Sequence, residues 1–418
     1  MADYHPIKEE ITELIIYRNI LADSIIQKIV RLLNHPDGKT LICACASELI
    51  ARAETLGLNG NLFKSYLIYL IARDENMFSI TAERTGGQIS GSLYDAVLHD
   101  MRILKNLFNV NWTAFSPGNL LTDYTPTSEN TFPELTALNS QLTDAFAYPS
   151  STESPARVLL NYYTAYGYGD IAGYKAFRWQ DGPGITPIKH FDAISLEDIV
   201  GYERQKQTLT ANTEAFISGK PANNVLLIGA RGTGKSSSVK ALANAYFSRG
   251  LRLIEITKQQ MCALPVIMEV LRSRAGKRFI IFLDDLSFEE FEVEYKFLKS
   301  VIEGGVEAKP DNVLIYATSN RRHLIKETWN DRSGESDEIH RFDSVHEKIS
   351  LSDRFGITIT YLAPDQNEYL QIVEELARKH GVDLSPEQLK QQAIRWEMAH
   401  SGRSGRTARQ FITYLMGQ

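Results

Sequence analysis

Residues 225–238 read VLLIGARGTGKSSS, and this stretch decides the fold. Its apolar start, 225–228, is typical of a buried strand, and residues 229–236 match the pattern G-x-x-x-x-G-K-[ST] at every fixed position. A glycine-rich turn of this kind points successive N–H groups at phosphate oxygens, and the dipole of the helix that follows favours an anion there. A chance glycine-rich turn is the alternative, but the full match between a strand and a helix disfavours it. The stretch therefore predicts a nucleoside triphosphate site.

Two side chains of this loop have specific expected roles. Lys235 places a point charge near the terminal phosphates, and the Ser236 hydroxyl can ligate Mg²⁺. The loop residues expected to bind the nucleotide are Gly229, Ala230, Arg231, Gly232, Thr233, Gly234, Lys235, Ser236 and Ser237.

The composition is that of an ordinary globular chain. With 418 residues, 43% hydrophobic and 23% charged, two or three domains are expected. No apolar run reaches the roughly 18 residues needed to span a bilayer, and the N-terminus lacks the basic start and apolar core of a signal peptide. The formal net charge of −6 gives no global basic footprint for nucleic acid, although a local patch stays open.

The three cysteines, Cys43, Cys45 and Cys262, form no disulfide framework and no zinc-binding spacing. A Cys-x-Cys pair could bind a metal, but no histidine or second pair accompanies it, so buried thiols are favoured. The expected compartment is the cytoplasm.

Five parts are predicted along the chain. Apolar residues at helical spacing, with glycine between the segments, indicate a helical N-terminal domain over 1–110. A Ser/Thr/Pro/Asn-rich stretch over 111–155 predicts a linker or irregular loop, and 156–193 is an aromatic connecting segment. An α/β nucleotide-binding domain is expected over 194–362, followed by a helical lid over 363–418.

The aromatic residues of the connecting segment allow two interpretations. They could stack nucleic-acid bases, or they could pack in the joint between two domains. The second is favoured because basic residues are sparse between them. They are Tyr162, Tyr163, Tyr166, Tyr168, Tyr174, Phe177 and Trp179.

The fold class predicted for the nucleotide domain is α/β. Five strands separated by helical stretches predict a parallel sheet with helices on both faces. The strands are expected at 225–228, 252–256, 278–283, 312–317 and 357–361. The last three helices have no strands between them and predict a separate subdomain.

Polar residues follow two of these strands, and an arginine precedes a third. Asp284, at the end of a buried strand, can hold Mg²⁺, and Asp285 is placed to orient the attacking water. A strand that simply ends in acidic turn residues is the alternative. Asn320 follows the fourth strand and can reach the terminal phosphate or the water. Arg354, just before the fifth strand, can stabilise charge on the γ-phosphate; the alternative is that it pairs within its own chain, with Asp353 or with the acidic helix after Asp285.

A cluster of arginines opens the last helix in HSGRSGRTARQF. Any one of Arg403, Arg406 and Arg409 alone is typical of a solvated surface. An arginine that starts a lid helix after a glycine-rich turn is a better candidate for a phosphate contact.

In this order, the motifs of residues 194–418 resemble those of the AAA+ ATPases. The resemblance implies an AAA+ core with a helical lid, ATP as the nucleotide, Mg²⁺ as its metal, Walker A in GARGTGKS and Walker B in FIIFLDD. It further implies a sensor 1 residue, an arginine finger and a sensor 2 residue, which are Asn320, Arg354 and Arg406. By the same resemblance the segment DIVGYERQK lines the adenine pocket with Ile199, Val200 and Gly201.

One position departs from that family. Asp285 stands where a catalytic glutamate is usual, so its carboxylate reaches one methylene less far and hydrolysis could be slow. Phrases such as PANNVLLIGARGTGKSS and SLSDRFG further resemble a bacterial ATP-binding group classed as a domain of unknown function, over most of 156–418.

These observations predict an ATPase that drives conformational work on, or loading of, a macromolecular partner. The alternative is a slow nucleotide-gated switch with little turnover. A homo-oligomer that shares its site through Arg354 is expected, and the partner is expected to be a protein, with nucleic acid left open. The polar stretch 326–348 could contact a partner or form a surface loop.

Overall fold

The computed structural model divides the chain into two compact units, residues 1–174 and 175–418. The residues that it describes are 5–34, 39–115, 120–127, 132–147, 151–288, 294–303, 308–321, 353–400 and 402–417. The polar stretch 326–348 lies outside the described residues.

The first unit is helical, as expected. Its helices are α1 (His5–Thr12), α2 (Ser24–Asn34), α3 (Lys39–Leu56), α4 (Leu62–Arg73), α5 (Met77–Thr85), α6 (Ser92–Phe108), α7 (Pro133–Ala147), α8 (Glu153–Tyr166) and α9 (Gly169–Gly173). Short 3₁₀ turns cover Arg18–Ala22 and Trp112–Phe115. One continuous apolar core joins these helices, and its burial is the main source of the unit's stability.

The predicted linker over 111–155 is wrong. It contains α7 and the start of α8, and α7 packs against α4 and α8. Helix α7 forms because apolar residues three and four positions apart make one buried face within an otherwise polar sequence. The residues of that face are Leu135, Leu138, Leu142 and Phe146. The first unit accordingly runs on to Tyr174 instead of ending near 110.

The aromatic connecting segment also takes ordered structure. Tyr162, Tyr163 and Tyr168 are buried in the core of the first unit, and Tyr166 and Tyr174 pack against that core. The hydroxyl groups of Tyr163 and Tyr17 lie 3.0 Å apart, and Tyr163 also donates to the carbonyl of Ile71 at 2.6 Å. These five rings are thus taken up by packing inside one unit, so they are not presented for base stacking.

A buried carboxylate fixes the chain after α1. Asp100, on α6, is fully buried and accepts hydrogen bonds from the backbone N–H groups of Ile15, Ile16 and Tyr17 at 2.8–3.2 Å. These N–H groups lie beyond the end of a helix and have no partner in regular structure, so the carboxylate supplies one.

The second unit is an α/β domain followed by three helices. Its strands are β1 (Ala176–Gln180), β2 (Gly184–Pro187), β3 (Val225–Gly229), β4 (Leu251–Glu255), β5 (Arg278–Leu283), β6 (Val313–Ser319) and β7 (Ile357–Tyr361). Its helices are α10 (Glu203–Ile217), α11 (Lys235–Tyr246), α12 (Leu264–Arg272), α13 (Glu294–Glu303), α14 (Gln366–Lys379), α15 (Pro386–Ala399) and α16 (Gly405–Met416).

The sheet has seven strands in the order β2-β1-β4-β5-β6-β3-β7, where five parallel strands were expected. The five predicted strands form its parallel part. At one edge β1 adds in parallel to β4, and β2 pairs with β1 in antiparallel orientation. The two extra strands come from the aromatic connecting segment, where Ala176 and Phe177 are buried on the sheet.

The last three helices form a subdomain with its own core, as predicted. Asp365 and Ser385 cap α14 and α15 through capping boxes, which explains where these helices begin. Tyr369, Val373 and Phe411 lie in the shared core. Because this core is separate from that of the sheet, the three helices make a lid subdomain beside it.

The three cysteines differ in their exposure. All three cysteines are free thiols, and only Cys45 is buried, so the expectation of buried thiols fails for Cys43 and Cys262. Burial raises the pKa of Cys45 to about 12. Among the described residues, no helix combines the length and the apolar content that a membrane crossing requires.

We predict that Asp100→Asn destabilises the first unit by about 2–3 kcal/mol, because an amide cannot accept all the N–H groups that the carboxylate accepts. Urea unfolding followed by far-UV circular dichroism measures the change. Asp95→Asn, an exposed change on the same helix, is the matched control and should shift the midpoint little. Equal midpoints for the two variants would contradict the role given to Asp100.

Candidate functional site

The loop between β3 and α11 is held by close backbone packing. Gly229 has a φ of 134°, and a Cβ at this position would lie 1.9 Å from the carbonyl oxygen of Tyr361 on the neighbouring strand β7. That same carbonyl accepts the N–H of Ala230 at 3.0 Å. Only glycine fits at 229, so the first fixed position of the motif is explained by the approach of two strands.

The Lys235 ammonium is the centre of this loop. It donates to the carbonyl oxygens of Gly229 at 2.9 Å and Ala230 at 2.7 Å, and to Oδ1 of Asn320 at 3.0 Å. Only 6% of Lys235 is exposed. The loop therefore curls around a buried cation, and the end of β6 is tied to it.

Three side chains meet at the end of β5. Asp284 Oδ1 accepts a hydrogen bond from Ser236 Oγ at 2.6 Å and another from Thr318 Oγ1 at 2.6 Å. Ser236 and Asp284 thus present a hydroxyl and a carboxylate oxygen side by side, which is the oxygen chemistry that Mg²⁺ prefers. Among the described residues there is no cluster of three or more His, Cys, Asp or Glu side chains suited to a metal. A metal here would therefore take its remaining ligands from phosphate and water.

Asp285 takes an unusual backbone conformation. Its φ is 50°, in the left-handed region that aspartate enters more readily than most residues. Its N–H donates to Thr318 Oγ1 at 2.9 Å, and its Oδ1 accepts from Nδ2 of Asn320 at 2.5 Å. The Asn320 amide therefore bridges Lys235 and Asp285, with its oxygen toward the cation and its nitrogen toward the carboxylate.

These groups open into a cavity of about 720 Å³ within the second unit. The loop and strand ends form one wall, with Lys235, Asp284, Asp285 and Asn320. The opposite side comes from the segment before α10 and from the lid. Its lining residues are Asp198, Ile199, Val200, Tyr202, Ile372, Leu376, Gly405, Arg406, Arg409, Gln410 and Thr413. The cavity thus combines charged groups with an apolar set formed by Ile199, Val200, Ile372 and Leu376, which suits an anion attached to an apolar group.

The lid packs directly on the loop. The Arg406 N–H donates to the carbonyl of Gly232 at 3.1 Å, and a Cβ at 232 would lie 2.8 Å from Ser404 Oγ. The Ser404 side chain also caps α16 by accepting from the Thr407 N–H. The start of α16 and the phosphate-binding loop therefore share one tight contact.

The charges of the cavity act on one another. Burial lowers the pKa of Lys235, the carboxylates of Asp285 and Asp284 oppose that change, and the guanidinium groups of Arg406 and Arg231 add to it. A bound anion would favour the ammonium and offset the cost of its burial.

Most of the predicted site residues converge on this cavity. Of the loop residues, 231–237 line it, while Gly229 and Ala230 face the Lys235 ammonium with their carbonyl groups. Ile199 and Val200 line the cavity, and Ile199 lies 3.1 Å from where a Cβ on Gly234 would be. Gly201 is not among the lining residues; its φ of 77° serves the turn before α10.

Arg354 is the predicted site residue that lies apart. It is not among the residues that line the cavity, and it forms an ion pair with Glu303 at the end of α13. Within one chain the structure therefore gives Arg354 an acidic neighbour instead of a place at the phosphate end.

Several lining residues were missed from the sequence. Thr318 lies near the end of β6, and its hydroxyl contacts both Asp284 and the Asp285 N–H. Gln410 and Thr413 follow Arg406 by four and seven positions, a spacing that places them on the same face of α16. That spacing could have identified them. Tyr202 had no such signal: it has a φ of 60° and donates to the Leu362 carbonyl, and burial raises its pKa to about 12.

Comparison with known proteins finds relatives that are similar to a short part of this chain. The replication factor C large subunit of Methanococcus vannielii is 34% identical over 105 residues, which are 24% of this chain and 21% of that protein. The same subunit of Methanococcus maripaludis strain C5 is 32% identical over the same shares. The chain thus spans about a fifth of the length of these curated relatives.

Solved structures give broader but weaker likenesses. A RuvB variant of Thermotoga maritima covers 52% of this chain, over 63% of its own length, at 17% identity and a TM-score of 0.36. The FIGL-1 AAA domain in complex with ADP covers 54% of this chain, over 73% of its own length, at 20% identity and a TM-score of 0.36. Scores of this size do not by themselves establish a shared fold.

The second unit nevertheless has an AAA+ core by its own features. The strand order β4-β5-β6-β3-β7, the phosphate-binding loop after β3 and the separate lid helices occur together, as the sequence motifs implied. Residues 172–418, more than half of the chain, match the profile of the family described as "Protein of unknown function (DUF815)". The chain therefore belongs to this family.

Proposed function

We propose that this protein binds MgATP and hydrolyses it slowly to drive conformational change in a macromolecular partner. The observation that carries the proposal is the convergence of Lys235, Ser236, Asp284 and Asn320 at one end of a cavity with an apolar wall. The adenine ring would lie against Ile199 and Val200 and the apolar lid residues, and the phosphates would lie along the loop.

Ser236 and Asp284 would hold Mg²⁺ through their adjacent oxygens. The metal would neutralise charge on the phosphate oxygens. Thr318 keeps the Asp284 carboxylate in place by donating to the same oxygen that Ser236 contacts. The chain thus supplies a pre-oriented carboxylate, and such pre-orientation lowers the cost of reorganisation when charge develops.

Asp285 is the proposed base or orienting group for the attacking water. Asn320 donates to its Oδ1, and Thr318 accepts its N–H, so both the carboxylate and the backbone are fixed. Among the described contacts, Oδ2 of Asp285 accepts no hydrogen bond and so stays available for the water. The Asp285 side chain is also one methylene shorter than the usual glutamate. These features support slow turnover.

A nucleotide-gated switch with little turnover is the second candidate. It is favoured by the hydrogen bond between Asp285 and Asn320, which occupies one oxygen of the only carboxylate proposed to face the water. In that case the binding of ATP alone would change the position of the lid, and hydrolysis would only return the lid to its starting position.

The partner is proposed to be a protein, because the net charge of −6 provides no general basic surface for nucleic acid. The first, helical unit is the proposed contact region, and the cytoplasm is the proposed compartment. Affinity purification with Asp285→Asn in ATP tests the partner's class, and enrichment of nucleic acid instead of protein would overturn this part.

An oligomer with a shared site is also proposed. Arg354 does not line the cavity of its own chain, which supports a role in the site of a neighbour, where an arginine supplied in trans stabilises the transferred phosphoryl group. Glu303 would hold the side chain until a neighbour binds.

Lys235→Ala should weaken ATP binding about ten- to hundredfold, because the triphosphate loses a charge-assisted hydrogen-bond partner in a desolvated loop. Isothermal titration calorimetry measures the affinity. Lys240→Ala, on the same helix but away from the cavity, is the control and should bind ATP like wild type. Unchanged affinity in Lys235→Ala would remove the nucleotide assignment.

Asp285→Asn should bind ATP with wild-type affinity and release phosphate at least tenfold more slowly, because the amide cannot take a proton from water. Asp311→Asn, at the other end of β6, should leave the rate unchanged. Equal phosphate release by wild type and Asp285→Asn would rule out a catalytic carboxylate here and favour the switch.

Mixing Arg354→Ala protomers with Lys235→Ala protomers should restore hydrolysis if the arginine acts between chains, since a mixed interface contains one intact site. Phosphate release and light scattering in ATP measure activity and assembly. Glu303→Gln separates the two roles of Arg354, because it removes the ion pair and keeps the arginine. No recovery, with a monomer in ATP, would exclude the shared site.

A further inference from the structure

The phosphate-binding loop has a cation that its motif does not require. The pattern fixes glycine, lysine and serine but leaves position 231 open, and this chain has arginine there. Arg231 is exposed and lines the cavity. Within the described part of the chain, its guanidinium has no hydrogen bond and no ion pair, and the same holds for Arg406 and Arg409. Three guanidinium groups without a hydrogen bond or an ion pair among the described residues therefore line one cavity.

The backbone on both sides of Arg231 is anchored. The carbonyl of Ala230 accepts from the Lys235 ammonium at 2.7 Å, and the carbonyl of Gly232 accepts from the Arg406 N–H at 3.1 Å. Residue 231 therefore sits between a contact with the buried lysine and a contact with the lid. Its backbone is therefore held in place on both sides where it lines the cavity.

Arg231 shares its cavity with the cations Lys235 and Arg406. Three cations within reach of one another repel, and this repulsion is relieved when a polyanion binds between them. The carboxylates of Asp284 and Asp285 balance only part of this charge.

Arg354 does not supply a guanidinium to the cavity of its own chain. It pairs with Glu303 and is absent from the lining of the cavity. Among the described residues, the arginines of the same chain that line the cavity are Arg231, Arg406 and Arg409. Arg406 approaches from the lid, and Arg231 approaches from the loop itself.

We propose that the Arg231 guanidinium binds the terminal phosphate of a nucleoside triphosphate in its own chain and so makes the site selective for triphosphate over diphosphate. This inference rests on the proposed function of the cavity as a nucleotide site. The planar guanidinium can donate two parallel hydrogen bonds to phosphate oxygens. A diphosphate lacks that phosphate, so it gains nothing from Arg231.

The test compares Arg231→Ala, Arg231→Lys and wild type by calorimetry with Mg²⁺ and either ATPγS or ADP. In Arg231→Ala the dissociation constant for ATPγS should rise about ten- to hundredfold, the range of one charge-assisted hydrogen-bonding group. The constant for ADP should stay within about twofold of wild type. Arg231→Lys should recover part of the ATPγS affinity, because it keeps the charge and loses the paired geometry.

The control is Arg395→Ala, an exposed arginine on α15 that does not line the cavity. It should change neither constant. An equal loss for ATPγS and ADP in Arg231→Ala, or no loss for either, would overturn this inference alone, since the nucleotide site itself would still bind. A wild-type chain that binds neither nucleotide would overturn the proposed function and this inference with it.

Discussion

A buried ammonium with three oxygen acceptors holds the nucleotide end of this protein together. Lys235 could not stay charged in this position without partners, because an unpaired buried cation costs several kcal/mol. The carbonyl groups of Gly229 and Ala230 and the amide of Asn320 supply them. The curled loop and the end of β6 are therefore consequences of one charge that has to be satisfied. A triphosphate would compete with these oxygens for the same ammonium.

The parallel sheet explains how residues from distant parts of the chain come together in the site. Strand β6 lies between β5 and β3, so the ends of all three strands meet at one edge. Asp284 and Asp285 leave β5 there, and Asn320 follows β6. Residues far apart in the chain thus arrive within hydrogen-bond distance without any long side chain. Thr318 then joins the two strand ends through a single hydroxyl.

The predictable parts of the molecule are those with a strong local pattern. The loop, the five parallel strands and the lid helices were predicted because each has its own periodicity or motif. The strands β1 and β2 were missed because they are short and pair with each other and with β4, a distant part of the chain.

The difference between local patterns and distant contacts also decides what could be predicted of the site and of the first unit. Walker-type residues were predicted because the chemistry fixes their order. Pairing of Arg354 with the acidic helix after Asp285 was the alternative to the finger role, and the ion pair with Glu303 at the end of α13 agrees with that alternative within one chain. Which acidic residue of the helix is the partner could not be predicted from the sequence. Helix α7 was hidden by polar flanking residues, although its apolar spacing is that of a buried helix.

The contact between loop and lid gives the site a mechanical consequence. Gly232 has no side chain, and this lets Ser404 and the Arg406 backbone lie against the loop. A lid that moved away would have to break the hydrogen bond from Arg406 to the Gly232 carbonyl and uncover the apolar wall formed by Ile372 and Leu376. If a nucleotide binds as proposed, its phosphate contacts on one side and its apolar contacts on the other would favour the same arrangement of loop and lid. Because a ligand shifts a conformational equilibrium only by its difference in affinity for the two states, loss of the terminal phosphate would weaken the loop side alone. The apolar lid residues would then still contact the adenine base, while the phosphate-binding loop had lost its contact with the terminal phosphate. Phosphate could therefore leave before the rest of the nucleotide.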